Sequence, residues 1–479
     1  MKSDHSGFRE YASRKLIADL YQCPAKTRRL RAPGWKTKEG AISVSAAFAV
    51  MLYLAFSMTA MAAEQRTMIN MDEHSELARR LRLDMSTDKP SSVRSIISGP
   101  AALEARSFAI QEQGAAPPIS AEKTGPLAPD CPNQYRLTDL GTLGGTESFA
   151  YAINDAGLIV GVSRLKGDSG THAFLYDKGK MTDLYPLNSQ NVTTVGPTGI
   201  NNLGQIASGV IVNNVYSPAL YNAKTHKITP LGSLGGVTSY GFNGAATSVN
   251  NSGQAVGYSY IDDLNRHAFL YRKGAMTDIG SFGGYSAAIA INDRGMIVGF
   301  ASDLPSGRAH AFLYANGMMT DIDPSLDFSK SESYANAINN RGQVVGSFLA
   351  DDQSGTHAFL YSKGVFTDLG SAGSTHTSAL GINDREQIVG ITDIPYEDTC
   401  VDPNRATVPC IKHKQHAFIY ERGRLTDLNT VITPKDGWEL MWAVDINNRG
   451  KIVGYGLNQG KFRAFVLTPR GKSCTKNTR

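Results

Sequence analysis

Short apolar segments alternate with asparagine- and glycine-rich turns over most of this chain. From Asn133 onward one unit recurs, in which a few apolar residues precede Asn-Asn or Asn-Asp, and a glycine and an Ile-Val-Gly-like segment follow. Asn and Gly accept the positive φ of a tight turn, so the pattern predicts two short strands joined by a hairpin. Helical periodicity largely ends before this region, which favours an all-β fold.

The first asparagine of this turn marks seven copies of the unit. The seven positions are Asn154, Asn201, Asn250, Asn292, Asn339, Asn383 and Asn447. They are separated by 47, 49, 42, 47, 44 and 64 residues, the last interval being lengthened by an insertion between Ile391 and Gln415. A repeat of this length predicts stacked supersecondary units rather than one irregular domain.

Two further segments complete each unit. The word HAFLY begins at His172, His267, His310 and His357, and HAFIY begins at His416. A Lys-Gly or Asn-Gly turn joins most of these words to a following Thr-Asp-Leu-like segment, which is a hairpin signal. Four short strands in about 45 residues are typical of one β-propeller blade.

The two ends of the array predict a closed ring. The seventh unit has its Arg463–Leu467 segment but no Thr-Asp-Leu strand after it, whereas YRLTDLG at Tyr135–Gly141 precedes the first unit. A closed ring needs this strand to complete its last blade and to leave no exposed edge. The sequence therefore predicts a seven-bladed β-propeller of four-stranded blades, closed by the N-terminal strand.

The recurring histidine raises the question of repeated metal sites. Zinc or copper needs ligands that converge on one point, and one histidine per blade would hold the rings apart around the propeller. With a two-residue Asn316-Gly317 turn, Phe312 lies opposite Asp321, so His310 is diagonal to Asp321 on the same face. We therefore favour structural His/Asp pairs, comparable to the buried His–Asp network of WD-repeat blades. They are His172/Asp183, His267/Asp278, His310/Asp321, His357/Asp368 and His416/Asp427.

The exceptions support this interpretation. In unit two both members are lost together, because Ser217-Pro218 replaces His-Ala and Pro230 replaces the Asp. In unit seven Arg463 would meet Asp139, which keeps a cation against a carboxylate. A central metal site would instead have to tolerate two missing ligands.

The combination of the Asn turn, HAFLY and TDLG resembles the HAF family of bacterial extracellular repeats, which takes its name from the same tripeptide. The resemblance covers about Tyr135 to Pro469, with departures in unit two, where Ser217–Tyr221 replaces HAFLY, and at Arg463. It implies an exported or surface-associated bacterial repeat protein. It implies no activity.

The N-terminal part has a different composition. Residues 41–63 are uncharged, follow a basic stretch, and end near small residues at Ala60 and Ala62, so residues 1–63 predict a basic n-region with a cleavable signal peptide or, alternatively, an uncleaved anchor. Residues 64–130 predict a linker with a possible short helix. The propeller is expected over 131–474 and a short tail over 475–479.

Charge argues against nucleic acid as a partner. Ten of the 48 Lys and Arg residues and four of the 43 acidic residues lie in residues 1–63, which leaves 38 basic against 39 acidic residues. The propeller thus lacks the basic field that phosphate backbones require. A membrane contact is expected only through residues 41–63, and only if they are not cleaved.

Four cysteines follow the presumed leader. Cys474 and Cys131 lie at the two ends of the missing last hairpin, so a disulfide between them would staple the ring. Cys400 and Cys410 lie within the insertion, and we expect a local pair. Pairing implies an oxidising compartment, with free buried thiols as the alternative.

No catalytic or cofactor motif stands out. The Gly-rich links, such as Gly141–Thr146, neither end in Gly-Lys-Ser/Thr nor open a helix, which excludes a phosphate loop. Asp-rich loops such as Asp262-Asp263 lack the ladder of a calcium loop. We expect no metal and no cofactor.

The near identity of the units favours a scaffold over an asymmetric active site. The sequence therefore predicts an extracellular, periplasmic or cell-surface monomer that acts as a non-catalytic binding, adhesion or scaffold module. Its expected ligand is a glycan or a protein. The alternative is an extracellular glycan hydrolase or lyase, with its site on the axis or on the loops between strands two and three.

Overall fold

The computed structural model describes most of the chain after residue 133. The described ranges are 134–184, 193–212, 215–238, 241–304, 306–323, 325, 331–350, 355–370, 374–401, 407–433 and 436–470. Helix in these ranges is limited to two short 3-10 turns, Lys166–Asp168 and Leu428–Thr430. None of the helices found there could span a membrane.

Six antiparallel sheets of four strands each follow one another along the chain as blades 1 to 6. Blade 1 consists of Gly144–Ile153, Ile159–Leu165, Thr171–Asp177 and Lys180–Asp183. Blade 2 consists of Thr193–Ile200, Gln205–Val212, Val215–Asn222 and Ile228–Pro230. Blade 3 consists of Gly244–Val249, Ala255–Tyr260, Arg266–Arg272 and Ala275–Asp278.

Blades 4 to 6 keep the same order of strands. Blade 4 consists of Ser286–Ile291, Ile297–Ser302, Ala309–Ala315 and Met318–Asp321. Blade 5 consists of Ser333–Ile338, Val344–Leu349, Thr356–Ser362 and Val365–Gly370. Blade 6 consists of Thr377–Ile382, Ile388–Val401, Thr407–Glu421 and Arg424–Asp427. The insertion predicted from the spacing lengthens the second and third strands of blade 6 into a long hairpin.

Blade 7 joins the two ends of the chain. Its first three strands are Trp438–Ile446, Ile452–Asn458 and Lys461–Pro469, and Tyr135–Asp139 pairs antiparallel with the third. The predicted seven-bladed propeller and its closure by the N-terminal strand are thus confirmed. A fifth strand, Ile432–Thr433, pairs parallel with Tyr135–Asp139 and covers the outer edge of this sheet; the sequence pattern did not predict it.

The repeated words fill the interior of each blade. The Phe of HAFLY or its equivalent is fully buried in six blades, at Phe174, Phe269, Phe312, Phe359, Phe418 and Phe465. In blade 4, Gly299 pairs with Phe312, and a Cβ on Gly299 would lie 2.0 Å from the carbonyl oxygen of Ala287. The glycine of Ile-Val-Gly is therefore required because the first strand bulges towards it.

Each blade presents two ends. Because the strands are antiparallel, the turns between strands one and two and between strands three and four share one end, here called the turn face. The links between blades and the loops between strands two and three share the other, here called the loop face. The Asn316-Gly317 turn has φ of 53° and 83°, as its sequence predicts, and Phe312 lies opposite Asp321.

Candidate functional site

Seven asparagine side chains form a closed ring of hydrogen bonds on the turn face. Asn154 donates from Nδ2 to the backbone oxygen of Asn201, and each first asparagine of the repeat does the same to the next blade. Asn447 donates to Asn154 and closes the cycle, with all seven distances between 2.8 and 3.1 Å. The side chain that the sequence indicated only as a turn former therefore also joins neighbouring blades.

A second ring uses the next residue of each turn. The backbone N–H of Asp155 donates to Oδ1 of Asn202, and this pattern continues around all seven blades at 2.8 to 2.9 Å. The ring members in order are Asp155, Asn202, Asn251, Asp293, Asn340, Asp384 and Asn448. No two aspartates are neighbours in this order. Each carboxylate therefore lies between amides that can donate to it, as Asn251 does to Asp293 at 2.9 Å.

The two rings surround a cavity of about 200 Å³ on the propeller axis. Its lining, which lies wholly within the described residues, consists of Asn, Asp, Ile and Val side chains and Ser248. It holds neither a histidine nor a cysteine that could act as a nucleophile or base. Because the ring amides and the carboxylate Oδ1 atoms already bind one another, this end of the axis is suited to holding the blades together.

Asp445, on the first strand of blade 7, is a residue type that the other blades do not have at this position. Other blades place Ala, Gly or Ser here, as at Ala152 and Ser248. Its Oδ2 accepts the backbone N–H of Ile153 from blade 1 at 2.9 Å, and its Oδ1 accepts that of Ile446. Burial, with a smaller contribution from the charge of Asp155, raises the pKa of Asp445 to about 6. Asp445 therefore joins the last blade to the first.

On the loop face the structure brings together the members of each His/Asp pair. Nδ1 of each histidine lies 2.7 to 2.9 Å from Oδ2 of its aspartate, at His172/Asp183, His267/Asp278, His310/Asp321, His357/Asp368 and His416/Asp427. In blade 7, Nη2 of Arg463 lies 3.3 Å from Oδ2 of Asp139. In blades 3 to 7 the other carboxylate oxygen accepts a backbone N–H of the link to the next blade, as Asp278 does from Gly280. These pairs thus join a third strand to a blade link.

The pair of blade 5 departs from the expected buried network, because the side chain of Asp368 is 47% exposed. Asp368 lies on the fourth strand of its blade, which forms the outer edge of the sheet, so one side of its carboxylate faces solvent. Its partner His357, on the third strand, is only 12% exposed. Asp183 and Asp278, at the same place in their blades, are 40% exposed.

The predicted contact between Asp368 and His357 is present, although the carboxylate is more exposed than in a buried His–Asp network. Oδ2 of Asp368 lies 2.9 Å from Nδ1 of His357, and its Oδ1 accepts the backbone N–H of Gly370 at 2.7 Å. Solvent screens an ion pair that is exposed to this degree. Asp368 therefore fixes the orientation of His357 and of the blade link more than it stabilises the fold.

Two of the histidines lie near a second carboxylate. His416 also places Nε2 3.2 Å from Oε1 of Glu439. His310 has no exposed surface, and Asp323 is nearby. Burial opposes the charge on His310, but the hydrogen bond to Asp321 and the charges of Asp323 and Asp321 raise its pKa above the ordinary value. These features require side chains from outside the repeat, which a strand pattern does not predict.

The other candidates from the sequence are less informative. Asp168 and Asp262 accept hydrogen bonds from their own loop or the adjacent link, through Thr146 and Asn265. Within the described residues no group of three or more His, Cys, Asp or Glu side chains is arranged to hold a metal. The predicted disulfides remain predictions: Cys131 and Cys474 lie outside the described residues, as do the side chains of Cys400 and Cys410.

A cluster of aromatic side chains occupies the loop face of blades 2 to 5. It comprises Tyr216, Phe242, Tyr258, Tyr260, Tyr285, Phe300 and Tyr334. The guanidinium carbon of Arg266 lies 4.9 Å from the ring centre of Tyr258 and 5.6 Å from that of Tyr285. Beside it, Leu264 is 87% exposed and Leu304 is 75% exposed. The residue types at these positions differ from unit to unit, so a search for repeated words misses them.

Comparison with known proteins gives one partial match to a family model. The model of a family described as a protein of unknown function (DUF3466) matches residues 277–371, which run from the end of blade 3 to the end of blade 5. This match covers well under half of the chain and carries no activity. No curated protein matches the chain.

Several solved structures are similar to the chain at low identity. They include an oligogalacturonate lyase from Vibrio parahaemolyticus (9% identity, TM-score 0.43, over 69% of this chain and 93% of that one). TolB from Acinetobacter baumannii has 13% identity and a TM-score of 0.35, over 69% of this chain and 66% of that one. A GH74 enzyme from Niastella koreensis has 13% identity and a TM-score of 0.44, over 71% of this chain and 55% of that one. Likenesses of this size say nothing about function.

Proposed function

We propose that this chain is an exported, non-catalytic binding module that recognises its ligand on the loop face of the propeller. The observation that carries the proposal is the contrast between the two ends. On the turn face, the first two residues of each Asn turn are hydrogen-bonded in two closed rings. The loop face, in contrast, holds the aromatic cluster and the most exposed apolar side chains. Exposed apolar surface of this kind marks interaction sites.

The position of the exposed apolar residues supports the choice of face. Val237, Leu264, Leu304 and Tyr396 are exposed and lie on a link or on the loops and hairpin between strands two and three, and Leu349 is exposed at the end of strand two. The turn face of the described residues has only three such side chains, Leu203, Met318 and Val365, against these five. Loops held by a rigid ring can vary without loss of the fold, which suits a binding surface.

Export is supported by residues 1–63 and by the resemblance of the repeats to extracellular HAF repeats. N-terminal sequencing of the protein recovered from its host should place the new N-terminus near Ala60–Ala62 if the signal is cleaved. A disulfide map by mass spectrometry should show Cys131–Cys474 and Cys400–Cys410. Reduced cysteines throughout would contradict the oxidising compartment.

Binding by the loop face can be tested with matched pairs of variants. The labelled full chain would be applied to a glycan array and to isolated cell envelopes, alongside Leu264→Ser/Leu304→Ser on the loop face and Met318→Ser/Val365→Ser on the turn face. We expect the first pair to reduce retention at least fivefold and the second to leave it unchanged. Equal losses in both, or cleavage of a bound glycan, would refute the proposal.

A further inference from the structure

Four arginines lie on the loop face of the described residues, and three of them face a carboxylate. Nε of Arg164 lies 3.6 Å from Glu147, Nε of Arg308 lies 3.9 Å from Glu332, and Nη2 of Arg463 lies 3.3 Å from Asp139. Arg266 has no carboxylate of the described residues within ion-pair distance. Its neighbours are the rings of Tyr258 and Tyr285.

The sequence explains why Arg266 lacks this partner. Glu332 immediately precedes Ser333, the first residue of blade 5, and pairs with Arg308 of blade 4. One blade earlier, Tyr285 immediately precedes Ser286, the first residue of blade 4, and lies beneath Arg266 of blade 3. A tyrosine thus stands where the next blade has the neutralising glutamate. The positive charge of Arg266 remains available to a ligand.

The surroundings of Arg266 define the chemistry of that ligand. Tyr216 and Phe242 stack with ring centres 4.6 Å apart, and Tyr260 meets Phe242 edge to face at 6.0 Å. These three rings and Tyr285 are partly exposed. Aromatic rings suit the C–H faces of pyranose sugars, and a guanidinium stacked on tyrosines keeps its N–H edge for bidentate contact with a carboxylate.

We propose that Arg266, with Tyr216, Phe242, Tyr260 and Tyr285, forms a binding site for a carboxylated sugar, that is, for the uronate residues of an acidic glycan. This inference rests on the proposed loop-face binding and adds the class of ligand. In this arrangement the carboxylate pairs with Arg266, and the sugar rings pack on the neighbouring aromatic side chains. The charge selects acidic from neutral glycans, because a neutral sugar would leave the guanidinium unpaired.

The test is isothermal titration of the full chain with tetrasaccharides of glucuronate, mannuronate and galacturonate, and with their uncharged methyl esters. We expect at least one acid to bind and its ester to bind at least tenfold more weakly. Arg266→Gln should weaken the acid at least tenfold, whereas Arg266→Lys should weaken it less. Arg308→Gln is the matched control, because Arg308 already faces Glu332, and it should change the Kd less than twofold.

Two further variants keep the arginine and replace the ring of Tyr285. Tyr285→Glu places a carboxylate beneath Arg266, as Glu332 does for Arg308, whereas Tyr285→Gln removes the same ring without adding a charge. Tyr285→Glu should weaken acid binding at least tenfold more than Tyr285→Gln, with thermal unfolding checking that the fold is retained. Equal affinity for acid and ester, or an unchanged Kd in Arg266→Gln, overturns this inference. Tighter Arg266-dependent binding of a hexaglutamate peptide overturns the sugar class. Loop-face binding of a neutral glycan that ignores Arg266 also overturns it, while the proposed binding function stands.

Discussion

The same repeated unit has different roles on the two faces of the propeller. On the turn face, seven nearly identical Asn turns are hydrogen-bonded to their neighbours, so a residue in one blade constrains the next. On the loop face, the repeated His/Asp pairs lie within their own blades and brace the links, while the residues between them vary. The repeated Asn turns thus hold the blades together at one end, and the variable residues at the other end are available for binding a ligand.

The largest expected effect tests the turn face. Asn292→Ala removes the donor to Asn339 and the acceptor that binds the backbone N–H groups of Arg294 and Met296. A net hydrogen bond contributes about 1 kcal/mol, and an orphaned buried group costs more, so we expect a loss of roughly 3 kcal/mol in the free energy of unfolding. Urea denaturation of the full chain measures it.

The same substitution elsewhere in the ring serves as its control. Asn447→Ala removes the equivalent bonds in blade 7 and should cost the same within about 0.5 kcal/mol, the usual spread for one hydrogen bond. A loss below about 1 kcal/mol in both would mean that the ring contributes little to stability.

The second effect compares two His/Asp pairs of the loop face. His310→Ala removes a fully buried imidazole and leaves Asp321 and the buried Asp323 without their cation, so we expect a loss of about 3 kcal/mol. His172 and Asp183 are 20% and 40% exposed, so His172→Ala should cost under about 1 kcal/mol. Chemical denaturation at pH 6 distinguishes the two.

The pH dependence gives a separate check on His310. Its pKa is raised in the folded chain, so its contribution is fully present below the unfolded pKa of about 6.5 and is lost as pH rises through the folded pKa. The cost of His310→Ala should therefore be smaller at pH 9 than at pH 6. A cost that grew with pH would contradict a charged His310.

The sequence predicted those features that follow from the residues of one repeat unit or from comparing one unit with another. The strand order, the closure by Tyr135–Asp139 and the register of Phe312 with Asp321 follow from turn chemistry and from the missing strand. The two rings on the turn face were missed because they join residues 42 to 293 positions apart, which only the curvature of the closed ring brings together.

Register and burial differ in how far the sequence determines them. Turn length alone places Asp368 within reach of His357, as it places Asp321 within reach of His310. The exposed fraction of the same two carboxylates is nevertheless 47% and 18%. Both lie at the same position of the repeat, so the repeat pattern could not distinguish the more buried pair from the more exposed one.

The candidate ligand site was not predictable for a related reason. Arg266, Tyr216 and Phe242 come from two blades and one link, and none of them is a residue type that the units share. The pattern of the repeats indicates where the loops are, but side chains that converge from unrelated loops have no common spacing. The fifth strand at Ile432–Thr433 was missed because two residues carry no periodic signal.

A third, smaller effect concerns Asp445, which lies where the first strands of the other blades have Ala, Gly or Ser. The pKa of Asp445 is raised to about 6, so the folded chain holds this proton more tightly than the unfolded chain, and the protonated form is the stabilising one. Stability contributed by Asp445 is present below about pH 4, the ordinary pKa of an aspartate, and is lost as pH rises through about 6. Relative to the native chain, Asp445→Asn should therefore gain about 1 to 2 kcal/mol between pH 5 and pH 8.

The Asp445→Asn comparison uses the difference between two pH values, so a constant cost from the lost second acceptor for Ile153 or Ile446 cancels. Ser248→Asn, at the equivalent position of blade 3, introduces no titrating group and is the control. An unchanged difference between native chain and Asp445→Asn from pH 5 to pH 8 would mean that the carboxylate is not buried in solution.

The smallest expected effect tests whether the seven Asn turns are equivalent. Six of them have a glycine with positive φ at their fourth position, as at Gly342 with φ of 84°, and blade 6 has Glu386 with φ of 63°. An L-residue in this region costs about 1 kcal/mol or more, partly offset by the greater freedom of glycine in the unfolded chain. Glu386→Gly should therefore stabilise the fold by about 0.5 kcal/mol.

The exposed ion pair between Glu386 and Arg341, at 3.3 Å, contributes little and should not mask this gain. Glu386→Gln separates the two effects, because it removes the ion pair and keeps the strained backbone. A gain in Glu386→Gly together with no gain in Glu386→Gln would assign the effect to the backbone. The one residue that departs from the repeat on the turn face, Glu386, would then be shown to reduce the stability of the fold. On the loop face, in contrast, the residues that depart from the repeat form the proposed binding site.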